Sequence, residues 1–292
     1  MNTVHSVVLP SLSALIDDNL SPIPSSQAKW PPMMWLNTDR FLYLGWVGRI
    51  AERCFGSLAI YLSPEGQHRI RIGDKANAWQ ATKFSIVQPW CKHWIDFDER
   101  TTACMLLLEP ETLRLSALPA VLQQPSGAVE FAELGEKILV ALELLRRNAA
   151  CGYASNADFD RAFFGEPLAP AKLDTRIHKV LDRLKSNPNA ALTAQNCAEL
   201  ACLSTSRFLH RFKEEVGAPF RSYRAWQRAR SLLYHVKEQS SLTDFALNYG
   251  YPDATHFSHS IRRFAGLTPK AIHSGSRKVA LFVGDMGSRC SV

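Results

Sequence analysis

A chain of 292 residues is long for one domain and comfortable for two, and a hydrophobic content of 46% is enough for proper cores. Charge is unevenly spread: residues 171–292 hold 19 Lys and Arg against 9 Asp and Glu, while residues 1–170 hold 15 against 18. A basic C-terminal part beside a mildly acidic N-terminal part points to a polyanion-binding module joined to something that avoids polyanions. The seven cysteines show no C-x-x-C pair and no Cys/His ligand spacing, which argues against a disulfide framework and fits a reducing compartment. With no signal-peptide pattern and no apolar run of ~18 residues, the expectation is a cytoplasmic protein that makes no membrane contact.

Residues 1–35, rich in Ser and Pro, read as an arm laid over the next domain, because Trp30, Met33, Met34 and Trp35 are costly to leave in water. Residues 36–125 predict an all-β barrel or sandwich. Runs at 41–48, 56–63, 68–73, 83–89 and 102–109 are apolar or alternating and are separated by turn signals such as S-P-E-G-Q. The period then becomes helical. Phe131, Leu134, Ile138, Leu142 and Leu145 recur at three and four residues, a stripe that suits either core or an antiparallel seam. A second short helix follows Ser155-Asn156, and residues 166–171 read as a linker before a basic domain at 172–275.

Within that domain two similar helix-turn-helix units stand at 193–213 and 241–264. Thr193 and Ser204 are placed to cap the helices of the first unit, and Asp253 the second helix of the second unit. Ser241 with Asp244 resembles a capping box, and Thr268-Pro269 supplies a cap and a proline at the first helical position. Ala198 and Ala246 occupy matched places, as do Phe208 and Phe257, His210 and His259, and less closely Phe212 and Phe264. No Gly or Pro interrupts 220–239, so one helix is expected there. At ~1.5 Å per residue it would span on the order of 30 Å. That is close to the ~34 Å between successive major-groove faces on one side of B-DNA.

Matched caps, repeated aromatics and a basic surface together carry a specific resemblance. Residues 171–273 resemble the DNA-binding domain of the AraC/XylS family of bacterial transcription regulators. The match rests on A-E-L-A-x-L-S-x-S-x-F-x-x-R-F-K, on G-x-P-F-x-x-Y with Arg228, and on S-L-T-D-F-A-L-N-Y-G-Y-P-D-A-T-H-F-S-H-S-I-R-R-F-A-G-L-T-P-K. Two departures stand out. Cys202 occupies a turn position that relatives usually fill with Gly, where a left-handed backbone would cost roughly 1 kcal/mol. His210 and His259 stand where Arg is frequent, which implies an altered base preference. By position, Ser206, Leu209, His210, Thr255, Ser258 and His259 are the candidate base readers. Arg207, Arg211, Lys213, Arg262, Arg263 and Lys270 suit phosphates, which position a protein without reading sequence. The buried spacing of Phe208, Phe212, Phe257 and Phe264 suits core rather than base stacking.

The N-terminal part resembles, more loosely, the sensor domain of the same family, a cupin-like β-barrel followed by a helical pair. The implied fold is α+β: a cupin-like barrel with a helical dimerisation segment at 126–165, an all-α double helix-turn-helix domain, and a tail at 276–292. The resemblance implies an activator that binds promoter DNA, works with RNA polymerase, pairs as a homodimer through the 131–145 stripe and answers to a small-molecule effector. No cofactor and no enzymatic activity are expected. For the effector, Trp46, Arg53, Arg69, Arg71 and Trp90 could wall a site for an anionic or aromatic molecule. The alternatives are a cupin-type metal enzyme or ligand-binding protein with a DNA-binding appendage, a cysteine-based methyl acceptor and a non-specific architectural protein. Only His68 and His93 are at hand as metal-type ligands in the barrel, and no His-carboxylate cluster accompanies them.

Overall fold

A computed structural model describes residues 30, 32–98, 101–147, 153–190, 192–235, 246–247, 250–276 and 279–284. The strands are β1 (Met33–Leu36), β2 (Arg40–Gly45), β3 (Arg49–Arg53), β4 (Leu58–Leu62), β5 (His68–Ile72), β6 (Gln80–Thr82), β7 (Phe84–Val87), β8 (His93–Phe97), β9 (Ala103–Leu108), β10 (Gly127–Ala128) and β11 (Ala280–Val283). They form a seven-stranded sheet ordered β10-β7-β4-β9-β2-β1-β11 and a four-stranded sheet ordered β3-β8-β5-β6. The near-continuous apolar runs are explained by burial of the larger sheet on both faces. Side chains alternate along each strand, so Phe41, Tyr43, Ala59, Tyr61 and Leu107 face the smaller sheet and meet Ile50, Ile70, Ile95 and Phe97. Leu42, Leu44, Ile60, Leu62, Leu106 and Leu108 point the other way.

That outer face is covered by α1 (Glu133–Arg147) and α2 (Asn156–Phe164), the latter capped by Ser155. The molecule is α+β, and its β part is a pair of facing sheets rather than one closed barrel: β10 and β11 bound one sheet, β3 and β6 the other. The expected dimer stripe is corrected here. Leu134, Ile138, Leu142 and Leu145 are buried in the core against the sheet, with Phe131 packed beside them. An apolar sheet face of this extent needs a cover, and the stripe supplies it. What α1 presents outward is Val140 and Leu144, 60% and 56% exposed.

At the chain ends the expected packing of the arm's apolar residues is seen, in the form of strand. The described part of the N-terminal arm is a strand, β1, with Trp30, Met33, Met34 and Trp35 all buried. The described part of the tail is β11, which pairs in parallel with β1 at the edge of the N-terminal sheet.

The basic domain contains α3 (Thr175–Ser186), α4 (Ala194–Leu200), α5 (Thr205–Val216), α6 (Phe220–Ser231), α7 (Ala254–Ala265) and α8 (Pro269–Ser276). Ile177, Val180, Leu181 and Leu184 of α3 pack with Cys197, Ala198, Phe208, Phe212, Phe220 and Tyr223 into a core of their own. Trp226, Ala229, Ala246, Phe257, Ile261 and Phe264 belong instead to the inner core of the N-terminal domain. The expected 220–239 helix is shorter than the sequence suggested. It is α-helical to Ser231, on the order of 18 Å, and tightens into a 3₁₀ turn at Leu232–Tyr234. Ser231 Oγ donates back to the Arg228 carbonyl at 2.8 Å, a bond that competes with continuation of the helix. Residues 236–239, and the Ser241/Asp244 box, lie outside the described residues.

Candidate nucleic-acid interface

The first unit is built by its caps. Thr193 Oγ1 accepts from the Asn196 amide while the Asn196 side chain accepts from the Thr193 amide, so two of the helix's unpaired donors are satisfied reciprocally. The turn then passes through Cys202 at φ 52°, the left-handed backbone expected for it, and is closed by Leu203 N–H on the Ala198 carbonyl at 2.9 Å. Ser204 caps α5 through the Arg207 amide, and Gly217 ends it at φ 73°.

The second unit repeats these steps where it is described. Gly250, φ 68°, takes the place of Cys202, and Tyr251 N–H bonds the Ala246 carbonyl at 3.0 Å. Asp253 caps α7 through the His256 amide, and Gly266 ends it at φ 68°. One added residue, Pro252, shifts the later positions, so the counterpart of Phe212 is Ile261 and not Phe264. Arg228 Nη1 donates to the Gly250 carbonyl at 3.2 Å, which gives the arginine noted in the sequence a role in holding this turn.

With their backs buried, α5 and α7 present polar faces. On α5, Ser206, Arg207, Leu209, His210, Arg211 and Lys213 are exposed, although Arg211 is held by Glu215 and Asp174 and His210 lies 3.1 Å from Glu214. On α7, Thr255, His259, Arg262 and Arg263 are exposed and Ser258 is half-buried. Ala254, Thr255, Ser258, His259 and Arg262 line one open groove of about 270 Å³. Lys270 is exposed on α8, whose first turn is capped by Thr268 Oγ1 on the Ala271 amide. Phe208, Phe257 and Phe264 are buried, as core spacing requires.

The five effector residues do not converge. Arg69 and Arg71 lie on the outer face of the smaller sheet, where Arg71 sits between Trp79 and Trp94 at 4.7 Å from each ring and Arg69 pairs with Asp96. Trp46 donates to the Asp98 carbonyl, and Trp90, at φ 65°, packs edge-on against Phe264. Arg53 alone points inward. It lines an apolar cavity of about 110 Å³ walled by Phe41, Tyr43, Met105, Trp226, Phe264 and Val279 among others. Arg53 is 2% exposed, meets Tyr61 Oη at 3.4 Å, and its Nε has no hydrogen-bond partner among the described residues. Burial pulls its pKa below the ordinary guanidinium value.

His68 and His93 each engage both ring nitrogens, His68 with Ser63 and Ser85, His93 with Tyr61 and the Cys91 carbonyl. Burial brings both down to about 3, so they stand neutral at ordinary pH. Among the described residues no group of three or more His, Cys, Asp or Glu is placed to hold a metal ion. Nor is any described helix long and apolar enough to cross a membrane.

Sequence reasoning missed an ionic cluster between the two halves of the chain. Glu109, fully buried, accepts from Ser57 Oγ at 2.7 Å and Trp226 Nε1 at 3.0 Å and pairs with Arg230 Nε at 2.9 Å. Burial pushes Glu109 up to about 7 despite the pull of Arg230. Beside it Lys185 bridges Asp39 at 2.7 Å and Glu111 at 2.8 Å, and Tyr223 Oη donates to Glu111 at 2.9 Å. The one available signal was the placement of two acids, in L-L-L-E-P-E-T, directly after an apolar strand.

These features define a two-part molecule, a β-rich domain joined to paired helix-turn-helix units with exposed basic faces. Residues 197–274 match the model of a helix-turn-helix domain family. The invasion protein InvF of Salmonella typhi is 37% identical over 49 residues, which is 17% of this chain and 23% of that protein. InvF of Salmonella typhimurium matches to the same extent, so the chain spans under a quarter of the length of these curated relatives. An apo ToxT variant from Vibrio cholerae has a similar fold, with a TM-score of 0.53 at 11% identity over 84% of this chain and 96% of ToxT. ToxT in another crystal form gives 0.51 at 10% identity over 80% and 98%. Residues 197–274 thus carry an AraC-type helix-turn-helix domain, the domain their sequence resembles, and the likeness to ToxT shows the fold of the chain around it.

Proposed function

We propose that this chain is a sequence-specific DNA-binding transcription regulator of the cytoplasm, an activator that works with RNA polymerase and responds to a small apolar molecule. The observation that carries the DNA reading is the pairing of α5 and α7. Each is capped, each is seated by buried aromatic and aliphatic side chains, and each turns an exposed Ser/Thr-His-Arg face outward. His210, Leu209 and Ser206 would meet base edges from α5, and Thr255, Ser258 and His259 from α7. Arg207, Lys213, Arg262, Arg263 and Lys270 would meet phosphates, with Arg211 restrained by its two carboxylates. Selection of bound duplexes from a random library, followed by affinity measurements on His259→Ala and Arg262→Ala, tests this. Relaxed preference at one base position is expected from the first, and uniform weakening with a salt slope smaller by about one from the second. If both changes scale all sequences equally, α7 does not read bases.

The effector reading rests on the cavity and Arg53. Arg53 has no carboxylate partner among the described residues, and a buried guanidinium so placed is costly. An apolar molecule with one anionic group would pair with it. Arg53→Met should then abolish ligand-induced thermal stabilisation while leaving binding of a DNA duplex intact.

A further inference from the structure

After the second helix-turn-helix unit the chain returns to its N-terminal domain. β11 begins four residues beyond the end of α8 and lies in parallel beside β1, with Ala280 opposite Met33 and Val283 opposite Leu36. The Ala280 amide donates to the Pro32 carbonyl at 3.0 Å and the Gly284 amide to the Leu36 carbonyl at 2.9 Å. Leu281 packs toward the inner core, Ala280 and Phe282 toward the outer one. Val279, 3% exposed, completes the cavity wall.

The unit that precedes this strand is seated on β3. The Cys54 amide donates to the Arg263 carbonyl at 3.1 Å, and a Cβ on Gly266 would stand 2.6 Å from the Ala51 carbonyl oxygen. Gly217, the same position in the first unit, would meet nothing within 4 Å. One unit is pressed on the sheet and the other is not. A contact tethered at one end competes with all the chain's other placements, whereas a second tether raises its effective concentration.

We propose that β11 is a strap that keeps the second unit seated on β3, so that the placement of α7 is governed by the N-terminal domain. The strap acts on the described packing alone and does not depend on what the cavity binds.

Amide hydrogen exchange on Ala280→Pro, and on a chain ending at Ser276, tests the strap. The proline removes the Ala280 donor, and the deletion removes the strand. The expected result is at least tenfold faster exchange at Cys54, with unchanged protection at Leu203 and Phe208 in the first unit and at Leu42 and Leu106 in the sheet. Unchanged protection of Cys54 in both variants overturns the proposal, since the ionic cluster and cavity contacts then suffice. Loss of protection at Leu42 and Leu106 in both also overturns it, because β11 is then part of the sheet's own stability. The readout needs no DNA and no effector, so its failure is separate from any failure of the regulatory function proposed above.

Discussion

The two helix-turn-helix units share caps, turn bonds and terminal glycines, yet they are stabilised differently. The first closes a core of its own from α3, α4, α5 and the start of α6. The second shares one continuous core with the inner face of the β-sandwich, through Trp226, Ile261 and Phe264. Local sequence therefore sets how each unit is shaped, while burial sets what each unit is attached to. The second feels a change in the N-terminal domain through a shared apolar core, the first through the polar contacts of Lys185 and Tyr223 with Asp39 and Glu111.

Core truncation separates the two most strongly. Phe212→Ala and Phe264→Ala should each cost about 3–5 kcal/mol, as deletion of a buried ring does. For Phe212→Ala, exchange protection should fall across α3–α5 and leave Ile95 and Leu106 unchanged. For Phe264→Ala it should fall at Ile50 in β3 and at Cys54 just after it, as well as in α7. Equal loss of sandwich protection in both variants would break the distinction.

The ionic cluster offers a second contrast, because Glu109 joins the N-terminal domain to α6. Arg230→Met leaves a buried carboxylate without its cation and should destabilise by about 3–5 kcal/mol. The sign with pH follows from the raised pKa. Stability from Glu109 is full below the ordinary glutamate value and is lost as pH rises through about 7. Without Arg230, which lowers Glu109, the carboxyl is raised further. Thermal midpoints of Arg230→Met should therefore keep falling above pH 7, where the parent chain levels off, and adding Glu109→Gln should flatten that fall. His68 and His93 act in the opposite sense, losing stability as pH drops below their ordinary value toward about 3, so they do not disturb this window.

On DNA the contrast narrows to single side chains. His210→Ala and His259→Ala should each reduce discrimination at one base position by about 1–3 kcal/mol. Competition binding against singly substituted duplexes measures this. With Glu214 3.1 Å from His210, the effect at the first unit should be the smaller.

Much of this was legible in the sequence. The caps at Thr193, Ser204 and Asp253, the left-handed Cys202 and the buried phenylalanines follow from local rules, and they came out at the residues named. What the sequence did not show depends on partners distant along the chain. The 131–145 stripe fits a seam or a core equally well in periodicity, and only the apolar sheet face decides between them. Arg53 and Arg71 lie on β3 and β5, the two strands that flank β8. A bulge between Ile50 and Arg53 turns Arg53 into the cavity beside Ile50, while alternation about Ile70 keeps Arg71 outward. The Glu109–Arg230 pair is separated by over a hundred residues, and the role of 280–283 needs an open edge on β1. The Phe212–Phe264 match followed the aromatic that ends each unit, R-F and R-R-F, whereas the register of the other matched pairs sets Ile261 opposite Phe212.

The smallest expected effect lies in the turns, and it is the sharpest test of how alike the units are. Cys202 and Gly250 occupy equivalent left-handed positions, at φ 52° and 68°. An L-residue there carries strain of about 1 kcal/mol that glycine does not. Cys202→Gly should therefore stabilise the first unit by up to about 1 kcal/mol, less what glycine adds to the entropy of the unfolded chain. Gly250→Cys should cost more than that strain alone, because a Cβ there would lie 3.2 Å from the Asn189 carbonyl oxygen and 3.5 Å from Arg228 Nη2. It would crowd the arginine that holds the turn. Denaturant midpoints of the two variants measure the difference. Equal and opposite shifts would mean that backbone conformation alone distinguishes the turns. A larger loss at Gly250 would show that the second turn is also fixed by what packs upon it.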